Sequence, residues 1–258
     1  MTLKKFHDPA KGILKVVGLM SGSGTNLRKV IEHEIALNTK TEKSPFHVVA
    51  IFSDNAESQA PIIGKDFNLP VIIRDIRAYY RALGLKRSDL TLRPGFDAET
   101  LKALAPFDAS CAVYAGYMSI SSNILINGFT GVNVHPGDLT VIENGKRKWT
   151  GGHSVLDAIK AGEASIRSTT HFIEPEIDGG RILLLSKPLK IEMPKDLDFE
   201  DMSRLKNFAE AEQTRLKQVG DWEILPRTIE FIASGRFSQD NEGNLYFDEK
   251  PIPFGIQI

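Results

Sequence analysis

Short hydrophobic runs alternate with amphipathic segments through the first half of the chain. The runs have the continuous apolar character of buried strands, and the segments between them have the periodicity of helices. We expect strands at residues 13–20, 46–52, 71–73, 109–115 and 131–135, and helices at 27–37, 56–67, 97–104 and 123–127. Strands that alternate with helices and are joined by small-residue loops predict an α/β fold with a mostly parallel sheet and right-handed crossovers.

After residue 150 the pattern becomes less regular. We expect a helix at 153–161, strands at 168–173 and 182–189 around the turn Asp178-Gly179-Gly180, a long helix at 199–219, a further helix after Pro226, and a hairpin at 236–247. The candidate linkers are short, and no internal repeat is visible. The sequence therefore predicts one domain over residues 1–258 with an elaborated C-terminal half.

Composition narrows the class of protein without identifying its chemistry. The 258 residues carry a formal net charge of −1, so no global basic field indicates nucleic-acid binding. The single cysteine, Cys111, excludes an internal disulfide framework and is expected to pack in a buried strand. The histidines lack metal-ligand spacing, so we expect no metal. No apolar run approaches the roughly 20 residues that span a bilayer, and residues 1–12 lack a hydrophobic signal core, so we expect a cytoplasmic protein.

The first candidate for chemistry is Asn133-Val134-His135-Pro136, at the end of the strand expected at 131–135. Residues two apart in a strand project from the same face, so Asn133 and His135 should lie together where Pro136 ends the ladder. An amide donor beside an imidazole can stabilise an oxyanion, and ligands often bind at strand ends of parallel sheets. Taken alone, however, such a motif is more often a turn cap beside a core histidine.

A second candidate is the loop Ser21-Gly22-Ser23-Gly24-Thr25-Asn26 between the first strand and the first helix. Glycines let an anion approach the backbone, and a helix N-terminus offers free N–H groups, so the loop predicts a site for a phosphate or carboxylate. Leu27 stands where a dinucleotide fingerprint needs a small residue, and no Gly-Lys-Ser/Thr follows, so the loop is neither that fingerprint nor a Walker loop. A tight turn without a ligand is the alternative.

Charged groups in the second half supply further candidates. Asp178 lies at a glycine turn, which alone indicates only a bend, but a carboxylate near an imidazole raises the pKa of the ring and orients it. His171 lies on the strand that leads to this turn and could join the group, or be an ordinary core or edge histidine. The basic cluster Lys146-Arg147-Lys148 is interpreted as a solvated loop, with contact to a phosphate or carboxylate as the alternative.

Taken in order, these motifs resemble the folate-dependent formyltransferase family, and most closely its branch that formylates glycinamide ribonucleotide (GAR) in purine biosynthesis. The resemblance runs from about residue 15 to residue 255, with landmarks at 21–27, 49–53, 115–118, 133–136, 171–172, 178–180, 232–236 and 251–255. Each landmark is weak alone, but their joint order is specific. It changes the favoured interpretation of Asn133 and His135 from local structure to catalysis.

The resemblance implies a Rossmann-like half at about 13–135, a folate-side half at about 136–258, and transfer of a formyl group from 10-formyltetrahydrofolate to an amine without a metal. Asn133, His135 and Asp178 match the family's catalytic residues. By this resemblance, Asn133 and protonated His135 stabilise the oxyanion, while Asp178 keeps His135 charged and helps to remove the amine proton.

The resemblance also implies two groups of binding residues. Those expected to bind the acceptor, with the loop holding its phosphate, are Gly22, Ser23, Gly24, Thr25, Asn26 and Asp221. Those expected around the folate are Tyr117, Met118, Ile120 and His171.

The chain departs from the family pattern at several of these places. Gly137-Asp138-Leu139-Thr140 replaces the usual Ser-Leu-Leu-Pro, Ser119 replaces an arginine, Gln218 replaces a lysine of some members, and residues 81–94 are unusual. Over the whole chain the resemblance still favours GAR as the acceptor. Another amine such as an amino sugar nucleotide, hydrolysis of the donor, and a non-catalytic nucleotide-binding protein remain as alternatives.

Overall fold

Within residues 2–40, 43–194 and 197–258, which the computed structural model describes, an eight-stranded sheet forms the centre of the protein. Its strands are β1 (Leu14–Met20), β2 (Phe46–Ser53), β3 (Val71–Ile73), β4 (Cys111–Tyr114), β5 (Thr130–His135), β6 (Thr169–Phe172), β7 (Ile182–Leu185) and β8 (Ile256–Gln257). Their order is β8-β7-β6-β5-β4-β1-β2-β3. Strands β1 to β5 are parallel, β6 is antiparallel to β5 and β7, and β8 is parallel to β7. The predicted mostly parallel α/β sheet is confirmed.

The same described residues form eight α-helices. These are α1 (Thr25–Lys40), α2 (Ala60–Phe67), α3 (Ile76–Ala82), α4 (Arg93–Leu104), α5 (Asn123–Gly128), α6 (Ser154–Lys160), α7 (Met202–Leu216) and α8 (Trp222–Ala233). Short 3₁₀ turns lie at Pro9–Lys11, Leu90–Leu92 and Ala105–Phe107, and a π turn at Lys217–Asp221 joins α7 to α8. No helix of the described chain is both long and apolar enough to cross a membrane.

Short strands form three smaller sheets among the described residues. Lys4–Lys5, Phe237–Gln239, Leu245–Phe247 and Lys250–Pro251 form one, and its central pair is the hairpin expected near the C-terminus. Ser165–Ile166 pairs with Leu189–Lys190, and Ile142–Glu143 pairs with Lys146–Arg147. The last pair, called here the 142–147 hairpin, follows β5 and lies beside the candidate site.

Hydrophobic side chains cover both faces of the main sheet. Val16 and Met20 of β1 pack on one face with residues of α1 and α8. Val17 and Leu19 pack on the other face with residues of α3, α4 and α5. Side chains alternate between the faces of a strand, so a strand covered on both sides is apolar throughout. The strand ends therefore remain as places where a ligand can reach the sheet.

The strand order creates a crevice at one of these ends. From β1 the chain adds β2 and β3 on one side of β1, and then crosses over to add β4 and β5 on the other side. The loops that follow β1 and β4 leave the sheet at this switch of direction, which is where open α/β sheets bind ligands. The glycine-containing loop follows β1, and Ala115 and Gly116 follow β4.

Several helices differ from the sequence-based expectations: α2 begins at Ala60 rather than 56, α4 begins at Arg93 rather than 97, and α7 spans Met202–Leu216 rather than 199–219. Helix α3 was not expected; the Asp75 carboxylate accepts the N–H of Ala78 and caps its start. Helix α8 begins at Trp222 rather than after Pro226. A proline removes one N–H from the helical ladder, and the π turn immediately before α8 makes that ladder irregular at this point, so the proline is accommodated.

Candidate active site

The end of β5 carries Asn133 and His135, and β6 places His171 directly opposite Asn133. Asn133 Nδ2 donates to His171 Nε2 at 3.2 Å, and His171 Nδ1 donates to the Phe172 carbonyl at 2.8 Å. Because a carbonyl only accepts, His171 carries a proton on Nδ1 and can accept from Asn133 at Nε2. This contact orients the Asn133 amide and leaves its second N–H for another acceptor.

His135 is held at both ring nitrogens. Its Nε2 donates to the Trp149 carbonyl at 2.7 Å, and its Nδ1 lies 3.5 Å from Asp178 Oδ2. The side chains of His135 and Asp178 are only 5% and 9% exposed, so solvent screens this pair weakly. The predicted proximity of His135 and Asp178 is therefore present, with Nδ1 as the atom that faces the carboxylate.

The glycine turn aims the Asp178 carboxylate at the histidines. Asp178 has φ of 52°, the left-handed region that non-glycine residues rarely adopt. A Cβ on Gly180 would lie 1.7 Å from the Phe172 carbonyl oxygen, so the turn requires glycine there. Asp178 Oδ2 accepts the Gly151 N–H at 2.7 Å, and Oδ1 lies 3.6 Å from His171 Nε2.

The surroundings shift the pKa values of this pair in the same direction. Burial raises the pKa of Asp178, but the adjacent His171 and His135 rings and the Gly151 N–H outweigh it and lower the pKa to about 2. Burial lowers the pKa of His135, and the Asp178 carboxylate and the Trp149 carbonyl oppose this without reversing it. At neutral pH the resting site holds a carboxylate beside a neutral ring, and His135 can take up a proton at Nδ1.

The glycine-containing loop lines a cavity of about 210 Å³ at the switch point of the sheet. Its lining residues are Ser21, Gly22, Ser23, Gly24, Thr25, Asn26, Ala115, Gly116, Met118 and Lys217. Gly24 has φ of 65°, which allows the chain to turn into α1 at Thr25. The cavity thus combines the N-terminus of a 16-residue helix with a lysine among its lining residues, an arrangement suited to an anion.

Asn26 and Asp221 lie at the inner edge of this loop. Asn26 Nδ2 donates to Asp221 Oδ2 at 3.1 Å, and Asn26 Oδ1 accepts from the Trp222 indole at 3.1 Å. Ser168 Oγ donates to Asp221 Oδ1 at 2.6 Å. Asp221 is 3% exposed, and burial raises its pKa. The Asp221 carboxylate therefore binds the Asn26 side chain but does not itself line the cavity.

The predicted folate stretch divides between core and surface. The Tyr117 ring packs inward against Phe52 and Tyr114, with centroids 6.3 and 5.7 Å away, and burial raises the pKa of its phenol well above the usual value. Met118 and Ile120 are 70% and 47% exposed. These two side chains therefore present apolar surface beside the cavity loop, while Tyr117 supports them.

A buried carboxylate connects this stretch to the glycine-containing loop. Asp54, 1% exposed, accepts from Ser21 Oγ at 2.5 Å and from Ser119 Oγ. Ser21 Oγ also accepts the Met118 N–H at 2.8 Å. Ser119, which replaces the family's arginine, accepts from Arg87 at 3.1 Å, so the unusual 81–94 segment reaches this place. The two sides of the crevice are thus fixed to one another.

Functional contacts that the sequence analysis missed come from the stretch after β5. Arg147 is half-buried and donates from Nη1 to the carbonyls of Asp178 and Gly180, instead of lying in solvent. A Cβ on Gly137 would lie 2.7 Å from the Trp149 oxygen and 2.8 Å from His135 Nε2. The glycine that departs from the family pattern therefore leaves room for the bond between His135 and Trp149.

Two further observations complete the inventory of the site. Lys217 was also missed, although its position four residues before Asp221 was a usable signal. In the described chain, no group of three or more His, Cys, Asp or Glu side chains is placed to hold a metal ion.

Comparisons with known proteins show the family and the fold of the chain. The profile of the family described as Formyl transferase matches residues 14–218. The phosphoribosylglycinamide formyltransferases of Escherichia coli (strain K12) and Haemophilus influenzae are 25% identical over 242 residues and 27% identical over 245 residues, each covering 93% of this chain and 96% of the relative. A solved phosphoribosylglycinamide formyltransferase from Coxiella burnetii has a TM-score of 0.72 at 22% identity, over 95% of this chain and 99% of that one. This structural likeness shows the fold.

Proposed function

Because the chain belongs to the formyl transferase family, we propose that it transfers the formyl group of 10-formyltetrahydrofolate to the amine of glycinamide ribonucleotide in purine biosynthesis. The names of the two bacterial relatives, which align over 93% of this chain, support this acceptor. With a net charge of −1 there is no basic field for nucleic acid, and we extend the proposal to a cytoplasmic enzyme of small molecules.

The observation that carries the proposal is the position of the catalytic group relative to the anion cavity. Asn133 pairs with Tyr114 of β4, and Tyr114 pairs with Leu19 of β1, next to the glycine-containing loop. Two strand spacings separate β5 from β1, about 10 Å. This separation suits a substrate whose phosphate lies in the loop and whose amine reaches the end of β5.

In the proposed reaction the acceptor nitrogen attacks the formyl carbon, and the bond between that carbon and N10 of the folate breaks. The oxyanion formed in between needs donors that are already in place. Asn133 supplies one, because His171 holds its amide and uses only one of its two N–H groups. His171 is thereby proposed to position Asn133, in addition to the folate contact that the family resemblance implies.

The proton released by the amine passes to the pair of His135 and Asp178, and N10 of the leaving folate takes up a proton. Nδ1 of His135 is the receiving atom, since Nε2 already carries a proton toward the Trp149 carbonyl. The ionised Asp178 stabilises the imidazolium once it forms. Oxyanion stabilisation by the ring, as the resemblance implies, needs this protonated form and a turn of Nε2 away from Trp149.

The remaining contacts divide between acceptor and donor. Gly22 to Asn26 and Lys217 are proposed to bind the phosphate, while the buried Asp221, which was expected to bind the acceptor directly, is proposed to act through Asn26 by fixing its side chain. Met118 and Ile120 are proposed to contact the pterin. Ile177 is 61% exposed and directly precedes Asp178, and it offers a further apolar contact from the glycine turn.

The test follows tetrahydrofolate release by the purified protein with 10-formyltetrahydrofolate and GAR, with other amines, and with water alone. Release that requires GAR supports the proposal. Release with a different amine contradicts the acceptor, release without any amine indicates a hydrolase, and no release under any condition indicates a binding protein.

A variant connects turnover to the site. Asn133→Ala is expected to lower kcat by on the order of 10²–10³ and to leave the fold intact, because one oxyanion donor is lost. Asn127→Ala, an exposed position on α5, serves as the matched control and is expected to keep wild-type turnover. Near-wild-type turnover of Asn133→Ala contradicts the assigned role.

A further inference from the structure

The segment from Arg147 to Gly151 contacts the catalytic pair from one side. Arg147 binds the carbonyls of Asp178 and Gly180. The Trp149 carbonyl accepts from His135 Nε2 at 2.7 Å, and the Gly151 N–H donates to Asp178 Oδ2 at 2.7 Å. The end of the 142–147 hairpin and the residues after it thus fix the orientation of both His135 and Asp178.

Within this segment, Arg147 is the residue whose side chain binds the glycine turn. A single nitrogen, Nη1, donates to the two carbonyls that flank Gly179, at 2.8 Å for Gly180. The backbone at Asp178 is left-handed, and conformations of this kind persist only when their surroundings hold them. Two charge-assisted hydrogen bonds from a half-buried guanidinium supply such a restraint.

The neighbouring basic residues have different contacts. Lys148 pairs with Glu143 at 2.8 Å, and its ammonium lies 4.6 Å from the centre of the Trp149 ring. Lys146 is exposed. The contact with the Asp178 turn is therefore made by Arg147 and not by the basic cluster as a whole.

We propose that Arg147 is a positioning residue of the transferase reaction, which acts through Asp178 by holding the turn so that the carboxylate faces His135. The effect of Arg147 on turnover rests on the proposed function. The effect of Arg147 on the distance between the Asp178 carboxylate and the His135 ring is structural and does not depend on that function.

The titration of His135 distinguishes positioning from a simple charge effect. The charged and titratable groups that face His135 are Asp178, His171 and Arg147. If Arg147 acted only as a nearby cation, its removal would raise the pKa of His135. If it holds Asp178 in place, its removal lets the carboxylate move away, and the pKa of His135 falls by about one pH unit because its counter-charge is lost.

The experiment compares wild type, Arg147→Met, Arg147→Lys and the control Lys146→Met, using the full chain with ¹⁵N-labelled histidine. NMR follows the titration of the His135 ring, whose signal is assigned by its absence in His135→Gln. In parallel, kcat and KM are measured with GAR and 10-formyltetrahydrofolate. We expect Arg147→Met to lower the His135 midpoint by about one pH unit and kcat by about 10- to 100-fold, with KM within about threefold.

Arg147→Lys keeps the charge but not the planar group, and we expect intermediate values for it, while Lys146→Met remains at wild-type values. A rise of the His135 midpoint in Arg147→Met, or an unchanged midpoint and kcat, overturns the proposal. The titration needs no turnover. If the wild-type protein shows no formyl transfer, the proposed function is contradicted, while the His135 midpoint still tests whether Arg147 positions Asp178.

Discussion

The close approach of Gly137 to His135, which is proposed to be catalytic, gives a sharp prediction. In Gly137→Ala the new Cβ would lie 2.7 Å from the Trp149 oxygen and 2.8 Å from His135 Nε2, closer than real Cβ atoms come to such neighbours. The carbonyl belongs to the backbone, so relief requires a shift of the chain at Trp149 or of the His135 ring. Either shift breaks the hydrogen bond between them, which is 2.7 Å long in the native protein.

The expected cost follows from two contributions. A buried polar group that loses its partner costs about 1–3 kcal/mol, and overpacking of a tight site costs about 1–3 kcal/mol. Alanine also lowers the conformational entropy of the unfolded chain, which stabilises the folded protein by about 0.4–1 kcal/mol. The free energy of unfolding should therefore fall by about 3 kcal/mol, which for a chain of this length lowers Tm by roughly 6–12 °C. A misplaced His135 should also reduce kcat by up to about 10²-fold.

Urea unfolding, thermal unfolding and steady-state kinetics test this prediction. Gly152→Ala is the matched control, since a Cβ there meets no atom within 4 Å and the residue lies in the same stretch of chain. We expect it to stay within about 0.5 kcal/mol of wild type and to keep full activity. If Gly137→Ala also matched wild type in Tm and kcat, the inferred crowding at His135 would be wrong.

Further predictions follow from single groups of the site. For Asp178→Asn, the folded-state pKa of about 2 lies below the ordinary 3.8, so the ionised group stabilises the fold above pH 3.8 and loses this effect as pH falls toward 2. The ionised carboxylate contributes about 2.5 kcal/mol in total to the free energy of unfolding through this pKa shift. The difference in unfolding free energy between wild type and Asp178→Asn should therefore shrink by about 1 kcal/mol from pH 6 to pH 3. A difference that does not change with pH contradicts the low pKa. Lys217→Met should raise KM for a phosphorylated acceptor about tenfold with kcat little changed. The control Lys206→Met, on the exposed side of α7, should keep the wild-type KM. If Lys217→Met also had the wild-type KM, contact between Lys217 and the phosphate would be contradicted. Gly180→Ala, with its Cβ 1.7 Å from a backbone oxygen, should lower the free energy of unfolding by on the order of 3 kcal/mol. Gly179→Ala, whose Cβ has Glu176 side-chain atoms as its nearest neighbours, should lower it by clearly less, and the reverse order in urea unfolding refutes the turn geometry.

The strands were predictable because burial on both faces leaves a continuous apolar run. The runs expected at 46–52 and 71–73 agree with β2 and β3 to within one residue, and the run at 131–135 agrees with β5. Helix α3 was missed because its seven residues are too few to show a clear helical periodicity, although Asp75 was a visible capping signal. The start of α8 was placed too late because a proline normally marks a boundary, and the π turn that accommodates Pro226 leaves no sequence signature.

The residues proposed for the site could be predicted where strand geometry or the family resemblance points to them. Asn133 and His135 share a face because side chains alternate along a strand, and Asp178 was identified by its glycine turn together with the order of motifs. Arg147 was not predictable, since its partners lie 31 and 33 residues away and are backbone carbonyls, which are independent of residue type. The roles of His171 and Asp221 likewise depend on register and burial, which place one behind Asn133 and the other behind Asn26.

By itself the sequence indicated most of the strands and helices in their order and the glycine-containing loop after β1, because these depend on periodicity or on neighbours in the chain. The residues proposed to carry the chemistry were indicated by the order of motifs along the chain and its resemblance to the family. Tertiary structure alone decided which atoms of those residues face one another. The proton on His135 Nε2, the carboxylate at its Nδ1 and the arginine that holds the glycine turn follow from contacts between distant segments. Such contacts arise only when β5, β6 and the 142–147 hairpin pack together, and the pKa values of the catalytic pair arise with them.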